Sequence, residues 1–155
     1  MTPMYFVTLA LHSLIRWVVL FTGLAATARG IAGWKGRAWT AADNRVGVWF
    51  ISSLDMQFLL GLLLYVVLSP TVNLAFKNVG AAMRDPMLRF FLVEHAAGMI
   101  IAIVLAHIGR VRTKKAATDQ SRHRAAAVFF GLALVIILLS IPWPGMPAAR
   151  PLFPW

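Results

Sequence analysis

Residues 88–108 read LRFFLVEHAAGMIIAIVLAHI, an apolar run as long as a helix that crosses a bilayer. The run carries Arg89 near its start, the pair Glu94-His95 in its first half and His107 at its end. Ionisable side chains are costly inside a membrane and usually face the interior of a helix bundle or a water-filled cavity. The run therefore predicts a membrane-spanning helix that contributes to a polar site.

The rest of the sequence has the composition of a membrane protein. Hydrophobic residues make up 60% of the 155 and charged residues 13%, whereas soluble domains are about 45–50% apolar and about 25% charged. Three further apolar segments, 5–28, 46–68 and 125–141, are long enough to span a bilayer. The sequence predicts an all-α fold: one membrane domain over 1–155, a bundle of four transmembrane helices with a Pro- and Trp-rich interfacial tail at 142–155.

The distribution of the +10 net charge predicts the topology. Ten Lys and Arg residues fall in the first and third connections between the spans, and four lie on the opposite side. Short loops rich in Lys and Arg stay in the cytoplasm, so both termini are predicted on the outer (periplasmic) side of a bacterial inner membrane. Nucleic-acid-binding proteins gather their basic residues on a soluble face, so we expect no nucleic-acid partner.

Two histidines lie at matching depths in this arrangement. His12 is seven residues into the first span and His95 is seven residues into the third. Both spans enter from the outer side, so both imidazoles lie about 10 Å below that surface at about 1.5 Å of rise per residue. A haem b iron takes one axial nitrogen from each side, and facing helices of a bundle supply such pairs. The pattern predicts one haem b with His12 and His95 as its iron ligands. The chain has no cysteine, which excludes a haem linked through cysteine.

Glycine and arginine residues extend the predicted haem site. Gly98 lies one turn below His95 on the same helical face and is expected to leave room for the macrocycle. Arg89 or Arg84, near the outer surface, could pair with the negatively charged haem propionates. Arg16, on the first helix, completes the predicted cofactor-binding set.

Two carboxylates inside the spans need partners. Asp55 is expected to pair with Arg16, because both lie near the middle of the bilayer. Glu94 is open to two interpretations. It is either paired with Arg89 or Arg16, or it is a proton-linked group beside a haem or a quinone.

A stripe of residues four apart on the second helix, Gln57, Gly61 and Tyr65, is equally open. It suits a quinone site, and it suits close helix packing through the glycine with a hydrogen bond from the glutamine. Asp55 and Gln57 point about 200° apart around the helix. These two side chains therefore cannot both face one narrow site.

Two further histidines raise the question of a second haem. His107 follows His95 by 12 residues, which places the two about 120° apart around their helix, whereas two stacked haems would need ligands nearly in line. His123 stands between Arg122 and Arg124, which predicts a basic, hydrated loop. The sequence therefore favours one haem and not two.

Four motifs resemble those of small bacterial four-helix inner-membrane proteins labelled cytochrome b-like: HSLIRW (12–17), QFLLGLLLY (57–65), RFFLVEH (89–95) and IPWP (141–144). The resemblance covers the first three helices and the tail. It implies a b-type haem held by helix histidines and a role in membrane electron transfer. By that implication His12 and His95 are the axial ligands, with Arg16 and Glu94 as their neighbours.

The favoured function is a small membrane-embedded b-type cytochrome or haem-binding subunit. It would transfer electrons between quinol or a redox partner and an outer-side acceptor, as a subunit and not as a stand-alone enzyme. Its expected partners are the lipid bilayer and other membrane redox subunits, and a homo-oligomer is compatible with the sequence.

Two other functions compete with this one. The chain could be a cofactor-free accessory subunit of a larger respiratory or photosynthetic complex, in which His12, Arg16, Asp55, Glu94 and His95 form one interhelical polar network. An ion-coupled transporter that uses Asp55 and Glu94 is less favoured, since transporters build their sites from inverted repeats and broken helices.

Overall fold

The computed structural model describes residues 2–153, which form helices and no strand. There are two π-helical turns: Leu64–Leu68 directly follows the helix that ends at Leu63, and Phe90–Glu94 directly precedes the helix that begins at His95. The α-helices in this range are α1 (Pro3–Ala32), α2 (Ala41–Leu63), α3 (Pro70–Lys77), α4 (Val79–Ala82), α5 (Pro86–Arg89), α6 (His95–Lys115) and α7 (Asp119–Ser140).

Four stretches are long and apolar enough to cross a membrane, which confirms the predicted four-helix all-α fold: Pro3–Ala32, Ala41–Leu68, Pro86–Lys115 and Asp119–Ser140. Large apolar side chains cover their outer surface; Phe21 is 68% and Leu139 is 73% exposed. Such a surface is suited to contact with a lipid bilayer. The helices begin before the predicted apolar runs because capping residues decide where a helix starts.

The start of α2 shows such a cap. Thr40 and Asp43 form a reciprocal capping box, in which the Asp43 carboxylate accepts from the backbone N–H of Thr40 at 2.8 Å. Asp43 is buried and also pairs with Arg29 at 2.7 Å and Arg37 at 2.8 Å. One carboxylate therefore ties the end of α1 and the first connection to α2.

The bundle is held most closely around α7, which packs along both α1 and α6, while α2 packs on α1. Small residues permit the close approaches. A Cβ atom at Gly30 would lie 2.6 Å from the Ala127 backbone nitrogen. The fully buried rings of Phe50 and Phe130 meet edge to face between the helices, 5.5 Å apart. The pair α2 and α6 is less closely packed.

The residues after α7 fold back over the bundle end at which α7 stops. Both Nη2 of Arg16 (2.5 Å) and Nε1 of Trp17 (3.2 Å) donate hydrogen bonds to the Leu152 carbonyl. The rings of Trp17 and Phe153 stack with centres 5.6 Å apart. The described part of the tail is thus fastened to α1, and Trp155 lies outside the described residues.

Candidate functional site

Helices α1 and α6 bring His12 and His95 together, as their matching depths predicted. Their ring centres are 6.3 Å apart and the ring planes are inclined by 70°. Metal–imidazole bonds are about 2 Å long and each nitrogen is about 1 Å from its ring centre, so imidazoles on opposite sides of one metal have centres about 6 Å apart. The observed spacing fits one metal ion between the two rings.

In the part of the chain that the structure describes, the pair of histidines stands without further ligands of the usual kinds. The described residues contain no group of three or more His, Cys, Asp or Glu side chains able to hold a metal. The pair His12 and His95 therefore offers two nitrogens and no third ligand of this kind. Haem iron needs only axial protein ligands, because the porphyrin supplies the other four.

The end of α7 fixes the orientation of His95. Nδ1 of His95 is 2.7 Å from the Ser140 carbonyl oxygen. A carbonyl only accepts hydrogen bonds, so Nδ1 carries the proton and Nε2 of the neutral ring keeps its lone pair. Metal-ligating histidines commonly donate their other N–H to such an acceptor. Ser140 is the last residue of α7, so this carbonyl has no partner within the helix.

His12 packs against α2, and one of its two ring nitrogens lacks a hydrogen-bond partner among the described residues. A Cβ atom at Gly61 would lie 3.2 Å from Cε1 of His12, so the glycine of the predicted stripe makes room for the imidazole. Nδ1 of His12 is buried and has no hydrogen-bond partner within residues 2–153. A buried polar atom without a partner costs free energy, so the site is suited to a ligand that supplies one.

Both histidines line a cavity of about 370 Å³ between α1, α2, α6 and the tail. Its walls are mainly apolar, and its volume is in the range of small-molecule sites, about 300–1,000 Å³. Besides the histidines, its polar lining includes Arg16, Gln57 and Tyr65. Nε of Arg16 and Oε1 of Gln57, like Nδ1 of His12, are buried without a hydrogen-bond partner among the described residues.

Two arginines make the cavity electropositive. Arg16 is buried and is bound to the Leu152 carbonyl, and Arg150 of the tail lies 5.1 Å above the ring of Phe91. Neither guanidinium pairs with a carboxylate in the described part of the chain. The charge of the cavity is therefore suited to a ligand that carries carboxylates.

Arg89 lies outside this cavity. Its Nε donates to Oε1 of Glu94 at 2.7 Å, and both side chains are exposed. The structure therefore agrees with the first interpretation of Glu94, in which its carboxylate pairs with Arg89. The arginines that line the cavity are Arg16 and Arg150 instead.

The predicted pairing of Arg16 with Asp55 is wrong. Oδ1 of Asp55 is 2.8 Å from Nε2 of His107, on the surface between α2 and α6, and the two side chains are 44% and 49% exposed. Gln57, two residues on, points inward to the cavity, as the helical geometry requires. The five-residue network expected of an accessory subunit is therefore not formed.

Gly98 has a different role from the predicted one. A Cβ atom there would collide with Oγ of Ser140, and Gly98 is not part of the cavity wall. The glycine lets α6 approach the end of α7, which is where the Ser140 carbonyl meets His95. Tyr65 does line the cavity, and its hydroxyl donates to the Leu92 carbonyl at 2.8 Å.

The remaining histidines do not form a second pair. His107 is bound to Asp55, whereas the ring of His123 lies 4.9 Å from that of Trp39. The predicted hydrated loop around His123 is wrong, because His123 is fully buried near the start of α7. A Cβ atom at Gly33 would collide with its ring.

Sequence reasoning missed Arg150 and the Ser140 carbonyl. Arg150 lies in a proline-rich segment with no helical period, so nothing in the pattern places it near the third span. Ser140 binds His95 through its main-chain carbonyl, which is free because Ser140 is the last residue of α7. A search of the sequence for polar side chains does not find a main-chain oxygen.

Comparisons of the chain with protein-family models, with curated proteins and with solved structures find no match. The class of the protein therefore follows from its fold. Four candidate transmembrane helices make it a multi-pass membrane protein. Its distinguishing feature is a cavity near one end of the bundle with two facing histidines.

Proposed function

We propose that this protein is a small membrane-embedded b-type cytochrome or haem-binding subunit, with His12 and His95 as the axial ligands of one haem b. The 6.3 Å spacing of the two rings within one cavity is the observation that carries the proposal. Bound haem would supply reversible one-electron chemistry, and the protein supplies orientation and electrostatics.

The other residues of the cavity would position and tune the cofactor. The Ser140 carbonyl holds His95 in the tautomer whose Nε2 is free to ligate. Arg16 and Arg150 would hold the propionates. Burial and cationic neighbours are among the factors that set a haem potential. Positive charge near the iron favours the reduced state, so these two arginines would raise the potential.

The physiological setting follows from the topology that the charge pattern predicts. The protein would lie in a bacterial inner membrane, and a bis-histidine site near the outer surface would pass electrons from quinol or a redox subunit to an outer-side acceptor. A quinone is a second candidate ligand of the same cavity. The unpaired Oε1 of Gln57 favours it, since a quinol hydroxyl could donate to that atom.

The test is a reduced-minus-oxidised optical spectrum of the detergent-purified protein with three variants. We expect a low-spin b-type spectrum that is lost in His12→Ala and in His95→Ala. It should persist in His107→Ala, the matched control, because His107 lies outside the cavity.

Two results would contradict the proposal. A folded protein that takes up no haem would rule out the cytochrome and leave the quinone site and the cofactor-free accessory subunit as the remaining functions. A spectrum that survives both cavity substitutions would show that haem is bound through other ligands.

A further inference from the structure

A second cavity, of about 340 Å³, lies at the other end of the bundle. The start of α2, the end of α6 and the start of α7 form its wall, with Trp39 beside the start of α2. Arg110 and Lys114 of α6 and Arg122 of α7 line it, and no aspartate or glutamate does. Its position is independent of the histidine cavity and of any haem.

The positive charge in this cavity is only partly compensated. The side chain of Lys114 makes no hydrogen bond or ion pair with any described residue. Arg122 pairs with Asp119 at 3.4 Å, the long limit of a hydrogen bond. Asp43, the buried carboxylate of the adjoining cap, is already bound by Arg29 and Arg37. The cavity therefore has an excess of unpaired cationic groups.

One of these cations is held in place before any ligand binds. Nη1 of Arg110 donates to Oδ1 of Asn44 at 2.8 Å, which joins the end of α6 to the first turn of α2. The guanidinium has five N–H donors, so this bond leaves others for a ligand. An oriented arginine beside a lysine is a common arrangement for a phosphate, because charged hydrogen bonds to phosphate oxygens are strong.

In a bilayer this cavity would lie near the lipid phosphates. Its lining residues are within or just before the end segments of three candidate spans, and Trp39 is of the type enriched at the membrane interface. Basic pockets between transmembrane helices are typical sites for anionic headgroups. One turn deeper into α2 than Asn44, Val48 presents an exposed apolar side chain that could contact acyl chains.

We propose that this cavity binds a phosphate group through Arg110, Lys114 and Arg122. Either the headgroup of an anionic phospholipid or a soluble phosphate offers the same oxygens to these side chains. The two sources differ in their acyl chains, which only the lipid can place against the apolar side chain of Val48.

The test uses thermal unfolding of the purified full-length protein in neutral detergent. Phosphatidylglycerol is titrated in one series, inorganic phosphate in a second and zwitterionic phosphatidylcholine in a third. We compare Lys114→Gln with Lys115→Gln, a matched control that removes the same charge one residue outside the cavity. Within residues 2–153 the side chain of Lys114 has no hydrogen-bond or ion-pair partner, so its substitution should leave the unliganded protein stable.

We expect phosphatidylglycerol to raise the melting temperature of the wild type and of Lys115→Gln. Lys114→Gln should need about tenfold more lipid for the same shift, because one charged hydrogen bond is lost. If inorganic phosphate gives the same ranking of variants, the phosphate group alone is sufficient. If phosphatidylglycerol gives this ranking and inorganic phosphate does not, the ligand is a phospholipid.

Two results would overturn the proposal. Equal loss of response in the two lysine variants would mean that anions are attracted by the whole basic surface and not by this cavity. The proposal also fails if neither phosphatidylglycerol nor inorganic phosphate raises the melting temperature of the wild type more than phosphatidylcholine does, because the cavity would then show no preference for an anionic phosphate.

Discussion

At the scale of single residues, Asp55 and His107 form a polar pair with exposed apolar side chains beside it. Their neighbours along the helices include Met56 and Val104, each about half exposed. Polar groups that face lipid are rare and are usually paired with one another. The 2.8 Å bond between carboxylate and imidazole therefore satisfies two groups that lipid could not.

We expect Asp55→Leu and His107→Leu each to lower the free energy of unfolding by about 1 kcal/mol, because either change leaves the other group unpaired. The double variant should lose less than the sum of the two, by about 0.6–1.7 kcal/mol. Unfolding in mixed detergent micelles measures both quantities. Met56→Leu is the control, and strictly additive losses would show that the pair contributes no coupling.

At the scale of helices, α1 and α7 are in contact through glycine. The backbone of Ala127 occupies the space that a side chain at Gly30 would need. Because the obstacle is main chain and not a flexible side chain, the two helices must separate to admit even a methyl group.

Gly30→Ala is therefore expected to lower the free energy of unfolding by about 1–3 kcal/mol, the usual cost of overpacking. Gly80→Ala is the matched control, because a Cβ atom at Gly80 meets only Oδ1 of Asn78, at 3.6 Å. The two variants are compared by denaturant unfolding in detergent. Equal stability would mean that α1 and α7 can shift apart at no cost.

The elements differ in how far the sequence predicts them. The four spans follow from long apolar runs, and their number was predicted correctly. The π-helical turn Phe90–Glu94 was not predicted, because an i→i+5 hydrogen bond leaves no pattern in the hydropathy of the sequence. The attachment of the tail was missed for another reason: Arg16 binds the carbonyl of Leu152, 136 residues away in the chain.

Within the site, the depth of a side chain along its span could be predicted from the sequence, but the direction in which it points around the helix could not. Counting residues from the start of each span was enough to bring His12 and His95 together. The same count paired Arg16 with Asp55 wrongly. Asp55 and Gln57 point in nearly opposite directions, so only one can face the interior. Which of them does so depends on how α2 is rotated against its neighbours.

At the scale of the whole molecule, the two ends of the bundle differ in chemistry. The end with the histidine cavity is covered by α3 and the tail, whereas the opposite end bears the basic cavity. Ten of the chain's Lys and Arg residues lie at that basic end, in the two connections or in the helix ends beside them. The charge pattern predicts that the basic end faces the cytoplasm.

This orientation is tested with reporters fused after the tail. We expect an alkaline phosphatase fusion, active only outside the cytoplasm, to be active, and a green fluorescent protein fusion to be dark. Fusions at Lys35, in the first connection, are the internal control and should give the opposite result. Fluorescence after the tail would reverse the orientation and move the histidine cavity to the cytoplasmic side.

The closure of the histidine cavity by the tail sets an order of events during biosynthesis. Pro142, Arg150 and Phe153 line the cavity, and they leave the ribosome after all four long helices have been made. Until then the part of the cavity wall that the tail supplies is missing, and a bulky ligand can enter from that side without displacing the tail. Once made, the tail covers this part of the cavity and is held there by the hydrogen bonds that Arg16 and Trp17 donate to the Leu152 carbonyl.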